Sequence, residues 1–129
     1  MAPVRIYALI TKSGELSDEE FHRYWSQEHP KVWLNIEAVK LHITFYSQFH
    51  VDKQAQTGLS PLGVPLGQFD GVAIMEADSL ETFLEVYQGK DFLKVVLPDE
   101  QKFIDHDKSF VMFGHQEDKK VGGEVLVNI

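Results

Sequence analysis

Six histidines are spread along the 129 residues: His22, His29, His42, His50, His106 and His115. An unperturbed imidazole titrates near neutrality, so each can give or take a proton under physiological conditions. Two of them share a patterned segment. From Lys40 to Asp52 (KLHITFYSQFHVD) apolar and hydrogen-bonding side chains alternate. Successive strand side chains point to opposite faces, which places Leu41, Ile43, Phe45, Phe49 and Val51 on one side. His42, Thr44, Tyr46, Gln48 and His50 fall on the other. A face with two imidazoles, a phenol and an amide is what a small polar-lined pocket needs. His42 and His50 are separated by roughly 26 Å at strand rise and cannot form one dyad. Tyr46 lies midway between them.

The remaining candidates are scattered. His29 precedes Pro30, where a helix must kink or divide because proline lacks an amide donor and restricts the residue before it. His106 sits in Asp105-His106-Asp107, and flanking carboxylates are expected to raise its pKa. His22 faces away from the Phe21/Trp25 stripe and is expected in solvent. No HExxH or HxH spacing points to a metal, and the chain has no cysteine, which excludes disulfides, thiolate ligands and a cysteine nucleophile. Phosphate-binding glycine loops and a GxSxG elbow are also missing. Trp25 and Trp33 recur at core spacing, which reads first as packing. Asp70 and Glu76 share a strand face but stand too far apart for glycoside chemistry.

The elements that must position these groups follow from periodicity. Residues 4–11 alternate and read as a strand. Ser17-Asp18-Glu19-Glu20 has the capping-box pattern, and an apolar stripe through Phe21, Tyr24, Trp25, Val32 and Ile36 predicts a helix over 18–38, broken at Pro30. The strand over 40–52 follows. Residues 53–68 hold three glycines and two prolines without periodicity, the profile of a long loop that often serves as a lid. Phe69–Ala77 reads as a third strand, Asp78 as the cap of a second helix interrupted at Gly89, Asp91–Leu97 as a helical turn, and Lys108–Gly114 as a fourth strand. The tail 118–129 carries an apolar run, Val125–Val127, able to join a sheet edge.

This β-α-β-β-α-β order predicts one α+β domain over 1–129, a ferredoxin-like fold with a four-stranded antiparallel sheet and both helices on one face. The other face needs a cover. A second copy whose sheet curls against the first, closing a barrel, supplies one. In that arrangement the oily face of 40–52 packs on the helices and the polar face looks into the lumen.

A net charge of −8 argues against a nucleic-acid partner, which normally meets a basic stripe. No apolar run approaches the ~18 residues of a membrane span, and the N-terminal residues lack a secretory pattern, so the expected location is the cytoplasm.

The stretch Glu15-Leu16-Ser17-Asp18-Glu19-Glu20-Phe21-His22-Arg23-Tyr24-Trp25, followed by Glu28-His29-Pro30, resembles the first-helix signature of EthD-type dimeric α/β barrel proteins. Phe69–Ala73 and Pro98–Asp105 resemble later blocks of that family, the second being similar to its fungal polyketide-tailoring branch. The resemblance implies a homodimeric, cofactor-independent lyase that decarboxylates an aromatic polyketide acid of the anthraquinone type. Cyclase, dehydratase, anthrone-type oxygenase and non-enzymatic binding barrel are the alternatives on the same fold. It carries over His29 as the helix-end histidine of the motif and Asp99, Glu100 and Asp105 as a late acidic block beside His106; with the polar strand face, it points to His29 as the general acid/base and to Tyr46 and His106 as orienting donors. Tyr7, His50 and Asp70 are the expected lumen contacts, with Trp25 and Phe103 completing the substrate wall. Neither a metal nor an organic cofactor is required.

Overall fold

A computed structural model describes residues 3–129. Strand β1 (Val4–Ile10) leads through a turn to helix α1 (Asp18–Gln27), α2 (His29–Trp33) and α3 (Glu37–His42). Strand β2 (Ile43–His50), helix α4 (Lys53–Leu59) and strand β3 (Gly71–Ala77) follow. Helix α5 (Leu80–Tyr87), a π-helical stretch Phe92–Val96, helix α6 (Leu97–Glu100) and strand β4 (Phe110–Gly114) complete the domain, and a small hairpin, β5 (Lys120–Val121) with β6 (Glu124–Val125), ends it. The main sheet runs β2-β3-β1-β4, antiparallel throughout, the expected ferredoxin-like order. No helix among the described residues is long and apolar enough to cross a membrane.

Local chemistry explains the helix starts. Ser17 Oγ accepts from the Glu20 amide at 3.1 Å while the Glu20 carboxylate accepts from the Ser17 amide at 3.0 Å, the reciprocal pairing anticipated for α1. Helix α5 is capped by Ser79, with Thr82 answering it, and not by Asp78. The helical stripe over 18–38 is three pieces: α2 restarts at His29 with Pro30 in its first turn, where a missing amide costs nothing.

Three further expectations change. Residues 40–42 belong to α3, so strand β2 begins at Ile43. His42 therefore ends a helix and lies 3.4 Å from Glu85 on α5. The segment 53–68 is not wholly irregular: Asp52 Oδ1 accepts from the Ala55 amide at 2.9 Å and nucleates α4, a cap whose signal the glycines and prolines obscured. The C-terminal run pairs within its own hairpin and not with the main sheet.

The largest correction concerns the faces of β2. Its register against β3 slips between Ile43 and Phe45, leaving Thr44 as an extra residue. One extra residue reverses the alternation beyond it. Ile43 thus shares the helix-facing side with Tyr46, Gln48 and His50, while Phe45 and Phe49 face outward, 42 % and 56 % exposed. The polar set Tyr46, Gln48 and His50 points toward the helices, and the oily set lies on the open face that Phe110 and Met112 share at the opposite edge of the sheet.

Val4, Ile6, Ile10, Ala73, Met75 and Ala77 of the central strands are buried beneath the helices. Trp25 packs on Gly71 so closely that a Cβ there would lie 2.3 Å from the indole ring and 3.2 Å from the Phe49 carbonyl. Only glycine fits. Gly71→Ala is expected to cost about 1–3 kcal/mol by overpacking, read as a lower urea midpoint at unchanged slope; an unaltered midpoint contradicts this packing.

Candidate functional site

A cavity of about 190 Å³ lies between the sheet and the helices of one subunit. Its walls are apolar, from Ile6, Ala73, Met75 and Phe92 among others, and into them project His29, Tyr46, Glu100 and His106. The exposed residues Tyr87, Phe110 and Val111 mark where it meets solvent.

His29 is the most constrained of these groups. It is 5 % exposed, and its Nδ1 lies 2.8 Å from Asp99 Oδ2. Tyr24 donates its hydroxyl to the other Asp99 oxygen, and Lys102 Nζ lies 3.8 Å from that same oxygen. A carboxylate accepts but does not donate, so His29 carries its hydrogen on Nδ1 and leaves Nε2 available. Asp99 and Tyr24 stand behind the imidazole, outside the cavity lining, and the Phe103 ring packs at 5.0 Å from the His29 ring.

The chain before Asp99 is underwound relative to an α-helix. The π-helical stretch Phe92–Val96 runs directly into α6, whose Pro98 sits in the first turn. Such irregular turns often occur at functional sites. Asp99 then points at His29, while the neighbouring Glu100 lies 3.0 Å from His106 Nε2. The segment after α6 is tied to the turn after β1, with the Ser13 amide donating to the Phe103 carbonyl and the Asp105 amide to the Thr11 carbonyl, both at 2.8 Å.

Electrostatics divide the groups. Burial pushes the Tyr46 phenol up to about 12, partly opposed by the hydrogen bond it accepts from Gln48. Burial and then the Asp99 hydrogen bond push Tyr24 up to about 12. Both phenols are therefore protonated donors at neutral pH. His106 is raised, first by its bond to Glu100, against some desolvation, with Asp105 and Asp107 adding to the effect.

Of the residues singled out from sequence, His29, Tyr46, His106 and Trp25 meet at the cavity. Phe103 is completely buried behind His29 and forms no part of the cavity wall. Tyr7 does not reach the cavity: its neighbours in the sheet put it on the open face, where its hydroxyl donates to Gln116 at 2.7 Å. Asp70 accepts from the Lys12 amide at 2.8 Å and pairs with Lys53 at 2.6 Å, tying β1 to α4, and it does not line the cavity. His50 lies behind Trp25, ring to ring at 4.6 Å, and pairs with His22, which is consequently not free in solvent. No residue of 53–68 lines the cavity. Sequence reasoning placed Tyr24, Trp33 and Tyr87 among packing residues and Asp99 and Glu100 only in an acidic block; no spacing shows that Tyr24 and His29, on separate helices, share the Asp99 carboxylate. Among the described residues, no three His, Asp or Glu side chains are grouped to hold a metal ion.

The EthD domain family profile matches residues 13–107, the span that carries His29, Tyr46, Glu100 and His106 of the cavity wall. Solved structures share the fold. An ethyl tert-butyl ether D (EthD) family protein from Bacillus halodurans aligns at 15 % identity over 89 % of this chain and 99 % of its own, with a TM-score of 0.61. A dabb family protein with a ferredoxin-like fold from Mesorhizobium loti aligns at 12 % over 92 % and 100 %, TM-score 0.60. A dimeric protein of unknown function and ferredoxin-like fold from Bacteroides fragilis aligns at 9 % over 90 % and 98 %, TM-score 0.61. No curated protein sequence matches the chain.

His106 supplies a test of the site's electrostatics. Its raised pKa means that the pair with Glu100 stabilises the fold below the ordinary histidine value, near 6.5, and that this contribution is lost as pH rises through the folded value. Glu100→Gln is expected to lower the His106 pKa in an NMR titration. An unchanged pKa would mean that Asp105 and Asp107 hold the proton instead.

Proposed function

The chain belongs to the EthD domain family, and from that premise we propose that it is a cofactor-independent lyase that decarboxylates a phenolic aromatic acid of the polyketide type. The observation that carries this reading is His29, buried and fixed on Asp99 at 2.8 Å, sharing an apolar cavity with the protonated phenol of Tyr46. Loss of CO₂ from such an acid needs a proton source, a donor for the oxygen that receives electron density, and surroundings that solvate a carboxylate poorly. Imidazole, phenol and apolar walls meet those three needs.

The reaction runs as follows. The phenolic oxygen of the substrate accepts a hydrogen bond from Tyr46. His29, protonated on both nitrogens, delivers the Nε2 proton to the ring carbon that bears the carboxylate. The bond between that carbon and the carboxylate breaks, its electron pair returns to the ring, and CO₂ departs. One carboxylate and one proton become one C–H bond and CO₂. Asp99 keeps Nδ1 protonated and stabilises the imidazolium, and His106 orients the substrate from the mouth.

Cavity size bounds the substrate. At interior packing density, about 0.74, the cavity encloses roughly 140 Å³ of molecule, which suits one or two fused rings. A third ring, as in an anthraquinone acid, would extend past His106 and Phe110 at the mouth.

Turnover is tested by offering the purified chain phenolic ring acids of one to three rings and measuring CO₂ release. His29→Gln and Tyr46→Phe are each expected to lower the rate by about 10²–10⁴-fold, the usual weight of general acid–base groups. Release that is unaffected by both changes removes the roles assigned here. Loss of water, or a rearranged product of unchanged mass, would point to a dehydratase or cyclase.

We also read the chain as a homodimer. Phe45, Phe49, Phe110 and Met112 leave the open face of the sheet apolar, and a second copy applied to it would close the barrel. Phe49→Asp is expected to convert the dimer to monomer in sedimentation velocity; a wild-type monomer at micromolar concentration contradicts the reading.

A further inference from the structure

A chain of hydrogen bonds runs from the surface of α1 to the cavity and determines where its hydrogens lie. Gln48 Nε2 is 2.8 Å from the Trp25 carbonyl oxygen and 3.0 Å from the Tyr46 hydroxyl. A carbonyl oxygen only accepts, so the amide nitrogen must face it, and the opposite amide orientation is excluded. Gln48 thus donates one hydrogen to Trp25 and the other to Tyr46. Tyr46 accepts, which frees its own hydrogen to point elsewhere, and the space it borders is the cavity.

The same logic continues outward. Gln48 Oε1 is an acceptor 2.9 Å from His50 Nε2, so His50 carries its hydrogen on Nε2. His50 Nδ1 lies 2.7 Å from His22 Nδ1. One of those two nitrogens must be bare. Since neutral His50 already bears its hydrogen on Nε2, its Nδ1 is the bare one and His22 donates. Whichever of the two rings holds the shared hydrogen, His50 keeps the Nε2 hydrogen that Gln48 Oε1 accepts.

We propose that Gln48, His50 and His22 are positioning residues that hold Tyr46 as a donor directed into the cavity. The proposal rests on the reading of Tyr46 as a substrate donor and names what orients it.

The test compares two probes, 2,4-dihydroxybenzoate and benzoate, which share a carboxylate but differ in the phenolic oxygens that Tyr46 would bind. The ratio of their affinities cancels effects of His106 and His29 on the carboxylate. At neutral pH the ratio is expected to be high in the wild-type protein and about tenfold lower in Tyr46→Phe and in Gln48→Leu. His50→Leu, which leaves Gln48 Oε1 without its donor, should lower the ratio in the same direction. A wild-type ratio in Gln48→Leu or in His50→Leu overturns the proposal. If Tyr46→Phe alone leaves the ratio unchanged, the reading of Tyr46 fails and the proposal fails with it. If neither probe binds, ¹⁵N NMR of the ligand-free protein decides: the wild type must show His50 as the Nε2–H tautomer and Gln48→Leu must lose that preference, and an Nδ1–H tautomer overturns the chain of donors.

Discussion

The arrangement depends on a carboxylate that is almost entirely out of water. Asp99 is 5 % exposed, and an ionised group so placed is costly unless donors surround it. Its donors come from two other elements, Tyr24 on α1 and His29 at the start of α2. Removing the carboxylate would strand both at about 1–3 kcal/mol each. The break at Pro30, the π-helical stretch Phe92–Val96 and the packing of Phe103 beneath the His29 ring are the geometry that brings those donors to one acceptor. The site is thereby coupled to the core: the groups that hold His29 also fasten three helices together.

A second constraint is the extra residue at Thr44. By reversing the alternation of β2 it turns Tyr46, Gln48 and His50 inward and presents Phe45 and Phe49 outward. The cavity consequently lies between the sheet and the helices of one chain. Inward amide and imidazole groups remain tolerable because each finds a partner inside, at the Trp25 carbonyl, at Tyr46 or at His22. The outward phenylalanines lie on the open face of the sheet.

Sequence pattern reached the order of elements, the α1 capping box and the grouping of Tyr46, Gln48 and His50 on one face. Those features are local: a box of four residues and a period of two. It did not reach the side on which that face lies, because a single-residue bulge leaves no mark in alternating composition. Nor did it separate Asp99 from Asp70. Both are buried acids, but one meets an imidazole and a phenol while the other pairs with Lys53 and a backbone amide. That difference comes from contacts between residues 17 to 75 positions apart. His29 was legible from its place before Pro30, whereas Tyr7 was misplaced because strand alternation alone does not say which face the helices cover.

What unites the site is directionality. Tyr24, Tyr46 and Nδ1 of His29 each have the hydrogen-bond role that their neighbours impose, and the atom left over is His29 Nε2. The most direct measurement is ¹⁵N NMR of the six histidines in the full-length chain during titration with 2,4-dihydroxybenzoate. The account predicts that His29 bears a hydrogen on Nδ1 before any ligand is added, and that binding then shifts its Nε2 while Nδ1 stays bonded to Asp99. A His29 found as the opposite tautomer, or ligand binding that leaves both of its nitrogens unmoved, would contradict it.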